Sequence, residues 1–328
     1  MRRVSVRRPF IIDTDMALDD WMALIYLLHE PTVDVRAITI AATGECHAGP
    51  GLDTALRLLA LTNSAGVPVA AGRSTPLRGR QRFPLIVRLG MDTRLGLSLP
   101  RPRGRPARLP AVELLRRTIL ESPVPVTIVA LGPLTNLAEL LLSHPQLAER
   151  IAMIYVMGGA LWVPGNIRDL QPRSDNRDAE WNVFIDPYAA DVVLRSGAPV
   201  TLVPLDATAD APLTTAFAER CAAAQHTPAG RFLHQIIGRL RALAGGRPFF
   251  FWDPLTAALA TEDWLGRYTE LRLGVVQTPG REQGRVVEDP GGGLVRVCTQ
   301  ADAAAFEQIY LETVNTPLAY APVPALGD

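Results

Sequence analysis

Short runs of Val, Ile and Leu alternate with helix-length segments along this chain. The first run, Phe10 to Ile12, predicts a strand that ends in a tight acidic loop. A helix then opens at Asp19 and continues from Trp21 through Leu28. Val33 to Ala41 reads as the next strand and Leu52 to Leu61 as the next helix. Val124 to Leu131 predicts a strand feeding a helix from Leu134 to Leu142, and Ile151 to Met157 a strand stopped by Gly158 and Gly159. Pro187 to Arg195 reads as a helix and Val200 to Val203 as a strand. Strands apolar on both faces, separated by helices, predict an α/β fold: an open, mixed, mostly parallel sheet with helices on both faces. Ligands in such sheets gather beyond the carboxyl ends of the strands. Asp13 and Asp15, Gly44-Glu45, Leu131-Gly132 and Met157-Gly158-Gly159 all fall at such ends.

Two stretches break the rhythm. Arg73 to Arg108 is rich in Arg, Pro and Gly, and Asn166 to Asp178 is polar. The alternation resumes after each, so both read as loops inside one domain covering residues 1–328, with a core from about 10 to 318, and not as linkers. Loops of that length are binding loops, lids or surface excursions.

Charge narrows the partners. Basic and acidic residues both number 33, and every basic residue is Arg. A balanced charge gives no reason to expect a nucleic-acid or membrane partner. The three cysteines, Cys46, Cys221 and Cys298, are widely spaced and form neither a disulfide framework nor a CxxC site, which suits a reducing compartment. The basic N-terminus lacks a following apolar signal core, and no apolar run reaches membrane-spanning length. A soluble, cytoplasmic protein is the expectation.

The chemistry begins at Asp13, Asp15, Asp19 and Asp20, which place four carboxylates within eight residues directly after the first strand. Acids that close repel one another unless a cation sits among them, and a hard divalent ion with oxygen ligands, Ca²⁺ or Mg²⁺, accounts for the set. Helix capping accounts for Asp19 or Asp20 but not for Asp13 and Asp15. A phosphatase that starts with a strand and an Asp-x-Asp pair needs a Lys against the phosphoryl group, and the chain has none.

These residues resemble the fingerprint of the nucleoside hydrolases, calcium-dependent N-ribohydrolases whose N-terminal motif is D-x-D-x-x-x-D-D. The similarity continues in family order through Ala130-Leu131-Gly132-Pro133-Leu134-Thr135-Asn136, Met157-Gly158-Gly159, Gly165-Asn166, the block Ala179 to Pro187 and Trp252-Asp253-Pro254. The resemblance implies a Rossmann-like sheet, a bound Ca²⁺ and hydrolysis of a ribonucleoside to free base and ribose. It further implies that Asp15, Asp20, the Leu131 carbonyl and Asp253 hold the metal and that Asp15 is also the general base. Asp19, Asn166, Glu180 and Asn182 would hold ribose hydroxyls, with Met157 against the sugar and Asp13 supporting the loop from behind. Relatives are usually homodimers or homotetramers, and the partner implied is a small nucleoside.

Three departures from the family pattern matter. Glu45 stands where many members carry Asn, Trp252 where many carry a His that is a candidate acid for the leaving base, and the segment between Asn166 and Glu180 is longer than in compact members. An indole delivers no proton but stacks on a flat heterocycle. Trp252-Asp253, the acidic Glu45 and Glu180-Trp181-Asn182 are similar to the purine-preferring class, so purine nucleosides are the expected substrates and Glu45 and Trp252 join the substrate-binding residues. Trp162 or Phe83 would supply a second aromatic wall. His47 is either a replacement acid or a structural hydrogen-bonder. The stretch 222–247, which holds His226, His234, Arg231, Arg239 and Arg241, corresponds to a mobile flap in the family, although those residues also read as a solvated helix surface. Alternative readings are a relative that binds nucleosides without cleaving them, and a hydrolase of a modified N-riboside.

Overall fold

The computed structural model describes residues 7–243, 245 and 247–317. The basic residues 1–6 and position 318, where the expected core ended, lie outside them, as do positions 244 and 246 of the expected flap. Among the described residues nine strands form one sheet: β1 (Arg8–Thr14), β2 (Val33–Ile40), β3 (Val69–Ala71), β4 (Val126–Ala130), β5 (Ile151–Met157), β6 (Val200–Val203), β7 (Gly266–Val275), β8 (Val286–Glu288) and β9 (Gly293–Ala301). Their order is β3-β2-β1-β4-β5-β6-β9-β7-β8. Neighbours from β3 through β9 run parallel, whereas β7 is antiparallel to both β9 and β8. The mixed, mostly parallel sheet matches the expectation from the apolar runs.

Period-two geometry explains how the central strand serves both faces. Phe10 and Ile12 on β1 enter one core, which also holds Trp21, Tyr26, Phe217, Phe251, Phe306 and Tyr310. Ile11, between them, enters the other core with Ile128, Leu137 and Val193. A strand buried on both sides has no polar face to alternate with, so its sequence is continuously apolar until the chain leaves the sheet at Asp13.

The helix Leu18–His29 is buried along almost all of its length, Asp20 included. It packs against the helix Trp252–Thr261 and against the C-terminal helix Ala303–Asn315. The Tyr310 hydroxyl donates to the Met22 carbonyl at 2.9 Å, and the Tyr26 and Tyr310 rings stack with centroids 5.5 Å apart. This packing brings the N-terminus of the first helix toward that of Trp252–Thr261, although 233 positions separate Asp20 from Asp253.

Two segments differ from their sequence reading. Arg73 to Arg108 is not wholly a loop: it contains the helix Leu85–Asp92, whose inward residues Arg88 and Met91 are buried while Leu85 and Ile86 are 64% and 78% exposed. The stretch from 222 is also not a free flap. The helix Pro228–Leu243 buries Phe232, Leu233, Ile236, Ile237 and Leu240, and Phe232 stacks on Trp21 at 6.3 Å. Arg231 and Arg241 lie on its exposed face, as a solvated surface requires. All three cysteines are free and buried, and no helix among the described residues is long and apolar enough to cross a membrane.

Phe251 joins these layers, since its ring meets Phe217 at 4.7 Å, Phe306 at 5.4 Å and Tyr310 at 6.3 Å. Phe251→Ala is expected to cost about 3–5 kcal/mol in urea unfolding. The same change at the exposed Trp264 should stay within about 0.5 kcal/mol.

Candidate metal and active site

The parallel strands end at one edge, and the acidic loop emerges from the middle of it. Asp13 is still in register, opposite Thr39 on β2 and Ala130 on β4. Its Oδ1 accepts from the Thr39 hydroxyl at 2.5 Å and from Asn136 Nδ2 at 2.8 Å, so it ties three segments together behind the loop. Met16 then takes a left-handed φ of 63°. The turn is held by the Trp21 indole N–H, which donates to the Met16 carbonyl at 2.9 Å. Asp20 folds back onto the same turn. Its Oδ2 accepts from the Ala17 N–H at 3.0 Å and its Oδ1 from the Asp15 N–H at 3.1 Å and from the Thr14 hydroxyl. Ala17 has no side-chain oxygen to cap the helix, and Asp20 satisfies the orphan N–H in its place.

Asp15 is pressed between two glycines. A Cβ on Gly44 would lie 2.1 Å from Asp15 Oδ2, and one on Gly132 would lie 2.7 Å from Asp15 Cβ. The Glu45 N–H donates to Asp15 Oδ2 at 3.1 Å and the Cys46 N–H to the Asp15 carbonyl at the same distance. Residues from the loops after β1, β2 and β4 are therefore in contact.

The remaining sequence-predicted residues gather from later loops. Asn182 Nδ2 donates to the Leu131 carbonyl at 3.0 Å and to the Met157 carbonyl at 3.3 Å, so these three residues meet. Glu180 has a structural role that its expected ribose contact did not include. As N-cap of the helix Trp181–Ile185 it accepts from the N–H groups of Asn182, Val183 and Gly159 at 2.8 to 3.2 Å. Asn166 also braces that helix: its Oδ1 accepts from the Trp181 N–H at 3.1 Å and its carbonyl from the Trp181 indole at 3.2 Å. Trp252 is half-buried, with Phe249 edge-on at 4.7 Å. The two expected aromatic walls part company. Phe83 is buried and stacks on Trp181 at 4.7 Å, whereas Trp162 is 57% exposed, its N–H donating to Asp206.

Carboxylate oxygens of Asp19, Asp20 and Asp253 lie within 4.8 Å of one another. Burial, reinforced by mutual repulsion, pushes Asp15, Asp19 and Asp253 well above the usual carboxylate range and Asp20 up to about 7. Glu45 is pushed up to about 8 by burial and by Asp15. Burial alone lifts Asp13 to about 6 against its two hydrogen bonds. The Asp20 carboxyl comes within hydrogen-bonding reach of those of Asp15 and Asp253, a contact that two carboxylates make only with a proton or cation between them. The donor set is all oxygen, buried and anionic. It fits a hard divalent cation held by Asp20, Asp253 and neighbouring carboxylates. Of the other expected ligands, Asp15 lies beside Asp20, and Leu131 precedes Gly132, which packs against Asp15.

Sequence reasoning did not find the brace of the Gly44–His47 loop. Asp92 accepts from the His47 N–H at 2.9 Å and pairs with His47 Nδ1 at 2.6 Å, while buried Arg88 donates to the carbonyls of Ala42 at 2.9 Å and Cys46 at 3.1 Å. Nothing local in the sequence marks either residue. Thr14, Gly44 and Gly132 do have a signal, because they sit inside or beside the acidic and glycine motifs.

Residues 10–308 match the family described as inosine-uridine preferring nucleoside hydrolase. The pyrimidine-specific ribonucleoside hydrolase RihA of Salmonella arizonae is 40% identical over 219 residues, which span 65% of this chain and 65% of that protein. A plant nucleoside hydrolase superposes with a TM-score of 0.83 at 27% identity, covering 94% of this chain and 99% of its own. An inosine-uridine preferring nucleoside hydrolase from Bacillus anthracis gives 0.81 at 26% identity, covering 94% and 99%.

Two outcomes follow from the electrostatics and the packing. Asp13, Asp20 and Glu45 keep protons in the fold that the unfolded chain releases near 3.8 to 4.5, so the folded state binds more protons and loses stability as pH rises toward about 8. Chelator-treated protein should therefore melt lower at pH 8 than at pH 5. Added Ca²⁺ or Mg²⁺ should raise the melting temperature more at pH 8, where fewer protons compete. Gly44→Ala forces Asp15 aside and should weaken cation binding about 10- to 100-fold in a calorimetric titration.

Proposed function

Since the chain belongs to the inosine-uridine preferring nucleoside hydrolase family, we propose that it hydrolyses the N-glycosidic bond of ribonucleosides, releasing base and ribose. The observation that carries this reading is the convergence of buried carboxylates from three separate loops at the carboxyl edge of the sheet. A protein that only binds ribose has little use for so costly a concentration of negative charge.

Glycosidic cleavage passes through a cationic, oxocarbenium-like sugar. Ca²⁺ is the ion we assign to Asp15, Asp20, Asp253 and the Leu131 carbonyl, where it would acidify a water and take ribose hydroxyls as ligands. Asp15 would accept the proton of the water attacking C1′, a role supported by the Glu45 N–H that fixes its carboxylate. Asp19 and Asn182 would grip ribose hydroxyls, while Glu180 and Asn166 fix the helix that carries Asn182 and offer their remaining polar atoms. Met157 and Asn182 are already in contact, so sugar packing and hydroxyl binding share one wall. Rigid polar groups aimed at a fixed sugar turn binding energy into orientation.

Trp252, half-buried beside Phe249, supports stacking on the base, and with Glu45 it favours purine nucleosides. The pyrimidine specificity of the Salmonella relative favours a second reading, in which uridine or cytidine is the better substrate. Self-association as a homodimer or homotetramer belongs to the same proposal, supported by the exposed apolar side chains of Leu85 and Ile86.

A time course with inosine and with uridine in the presence of Ca²⁺, following free base and reducing sugar, tests both parts. Inosine turnover that falls by about 10²- to 10⁴-fold or more in Asp15→Asn is the expected result. Uridine turnover alone would replace the purine reading with the pyrimidine one, and release of base from neither would refute hydrolysis.

A further inference from the structure

The Gly44–His47 loop is held from both sides. On one side its N–H groups at Glu45 and Cys46 donate to Asp15. On the other, the helix Leu85–Asp92 holds it through Asp92 and through Arg88, which reaches the Ala42 and Cys46 carbonyls. His47 is the residue these contacts orient most closely. Its backbone N–H and its ring Nδ1 both meet the Asp92 carboxylate, at 2.9 and 2.6 Å. With Nδ1 engaged, Nε2 is the free nitrogen of a ring that remains 42% exposed. Glu45, two positions away, lies close enough to feel the charge of Asp15, and one residue advances the chain by about 3.8 Å. His47 thus follows Cys46, whose N–H meets the Asp15 carbonyl, on the loop that touches Asp15, with its ring partly exposed.

Hydrolysis needs a proton for the departing base, and the residue before Asp253 is Trp252, which has none to give. Resting on the hydrolase reading above, we propose that His47, oriented by Asp92, is the proton donor to the leaving base. As the C1′–N bond breaks, its electron pair passes to the base. The proton on His47 Nε2 moves to a basic nitrogen or carbonyl oxygen of that base, so that the base departs neutral. The attacking water adds its oxygen to C1′ and gives its proton to Asp15. Solvent then returns a proton to His47 and takes one from Asp15, which restores the site. Asp92 keeps its hydrogen bond to Nδ1 throughout, stabilising the ring in one orientation, the arrangement in which an acid–base histidine works best.

A purely structural clamp predicts a different outcome, and the leaving group separates the two. Inosine needs its base protonated, whereas 4-nitrophenyl β-D-ribofuranoside releases a stable phenolate that does not. His47→Gln keeps a hydrogen-bond donor but transfers no proton. It should lower kcat for inosine by about 100-fold or more while lowering kcat for the nitrophenyl riboside at least tenfold less. Asp92→Asn, which retains an acceptor for Nδ1, should show the same selectivity at smaller amplitude. Equal losses on the two substrates in both variants, or no loss in His47→Gln, would overturn the assignment. Wild-type protein inactive on both substrates would overturn the hydrolase reading and this proposal with it.

Discussion

The structure depends on one unfavourable interaction, the burial of like charge. Asp15, Asp20 and Asp253 are all at most 2% exposed, and Lys is absent from the chain. Arg88, the buried guanidinium on the neighbouring helix, directs one of its nitrogens to backbone carbonyls and not to these acids. Among the described residues, no basic side chain forms an ion pair with these acids, and the nearest, Arg88, acts on Asp15 only from a distance. Every loop around the cluster contributes N–H groups, hydroxyls or close backbone contact that hold the acids where they are least comfortable. Sites built this way store free energy that a cation recovers, which is why the strained turn at Met16 and the two glycine contacts sit at the same point.

Around that point, structural and chemical duties overlap in single side chains. Asp20 caps the first helix and belongs to the acid cluster. Glu180 caps a later helix and lies close enough to Asp19 to raise its pKa, and Asn182 holds the carbonyls of Leu131 and Met157 together. Residues with two duties tolerate substitution poorly, because either loss moves the other group. The same overlap explains why the edge of a parallel sheet is a good place for chemistry: the strand ends deliver residues from distant parts of the chain, and the helix starts deliver N–H groups to orient them.

Much of this was legible in the sequence. Strands β1, β4 and β6 and the second halves of β2 and β5 are buried on both faces, so apolar runs marked these strands, placing β5 and β6 at their ends and the others within two residues of theirs. β7 and β9 went unread because they are antiparallel near the sheet edge and partly exposed, so charged residues interrupt their pattern. The acidic cluster was legible because spacing alone demanded an explanation. The capping roles of Glu180 and Asn166 were not, since they depend on a short helix with no period of its own. Asp92 and Arg88 were invisible for a different reason: they act across more than 40 residues of chain through packing that no local motif encodes.

The assembly order of the sheet also bears on how the protein comes to be. The acid cluster takes members from positions 15, 20 and 253, and β1 must pair with β4 more than 100 residues downstream before the Asp15 loop meets Gly132. Contacts that distant close slowly, because loop entropy is lost before they reward it. On a ribosome, the N-terminal acids emerge long before Asp253 exists to complete the set. A cation can therefore lend little to nascent or half-folded forms, and its stabilisation falls almost entirely on the finished chain. Such a site acts as a late lock on folding, raising the barrier to unfolding more than it speeds the way in.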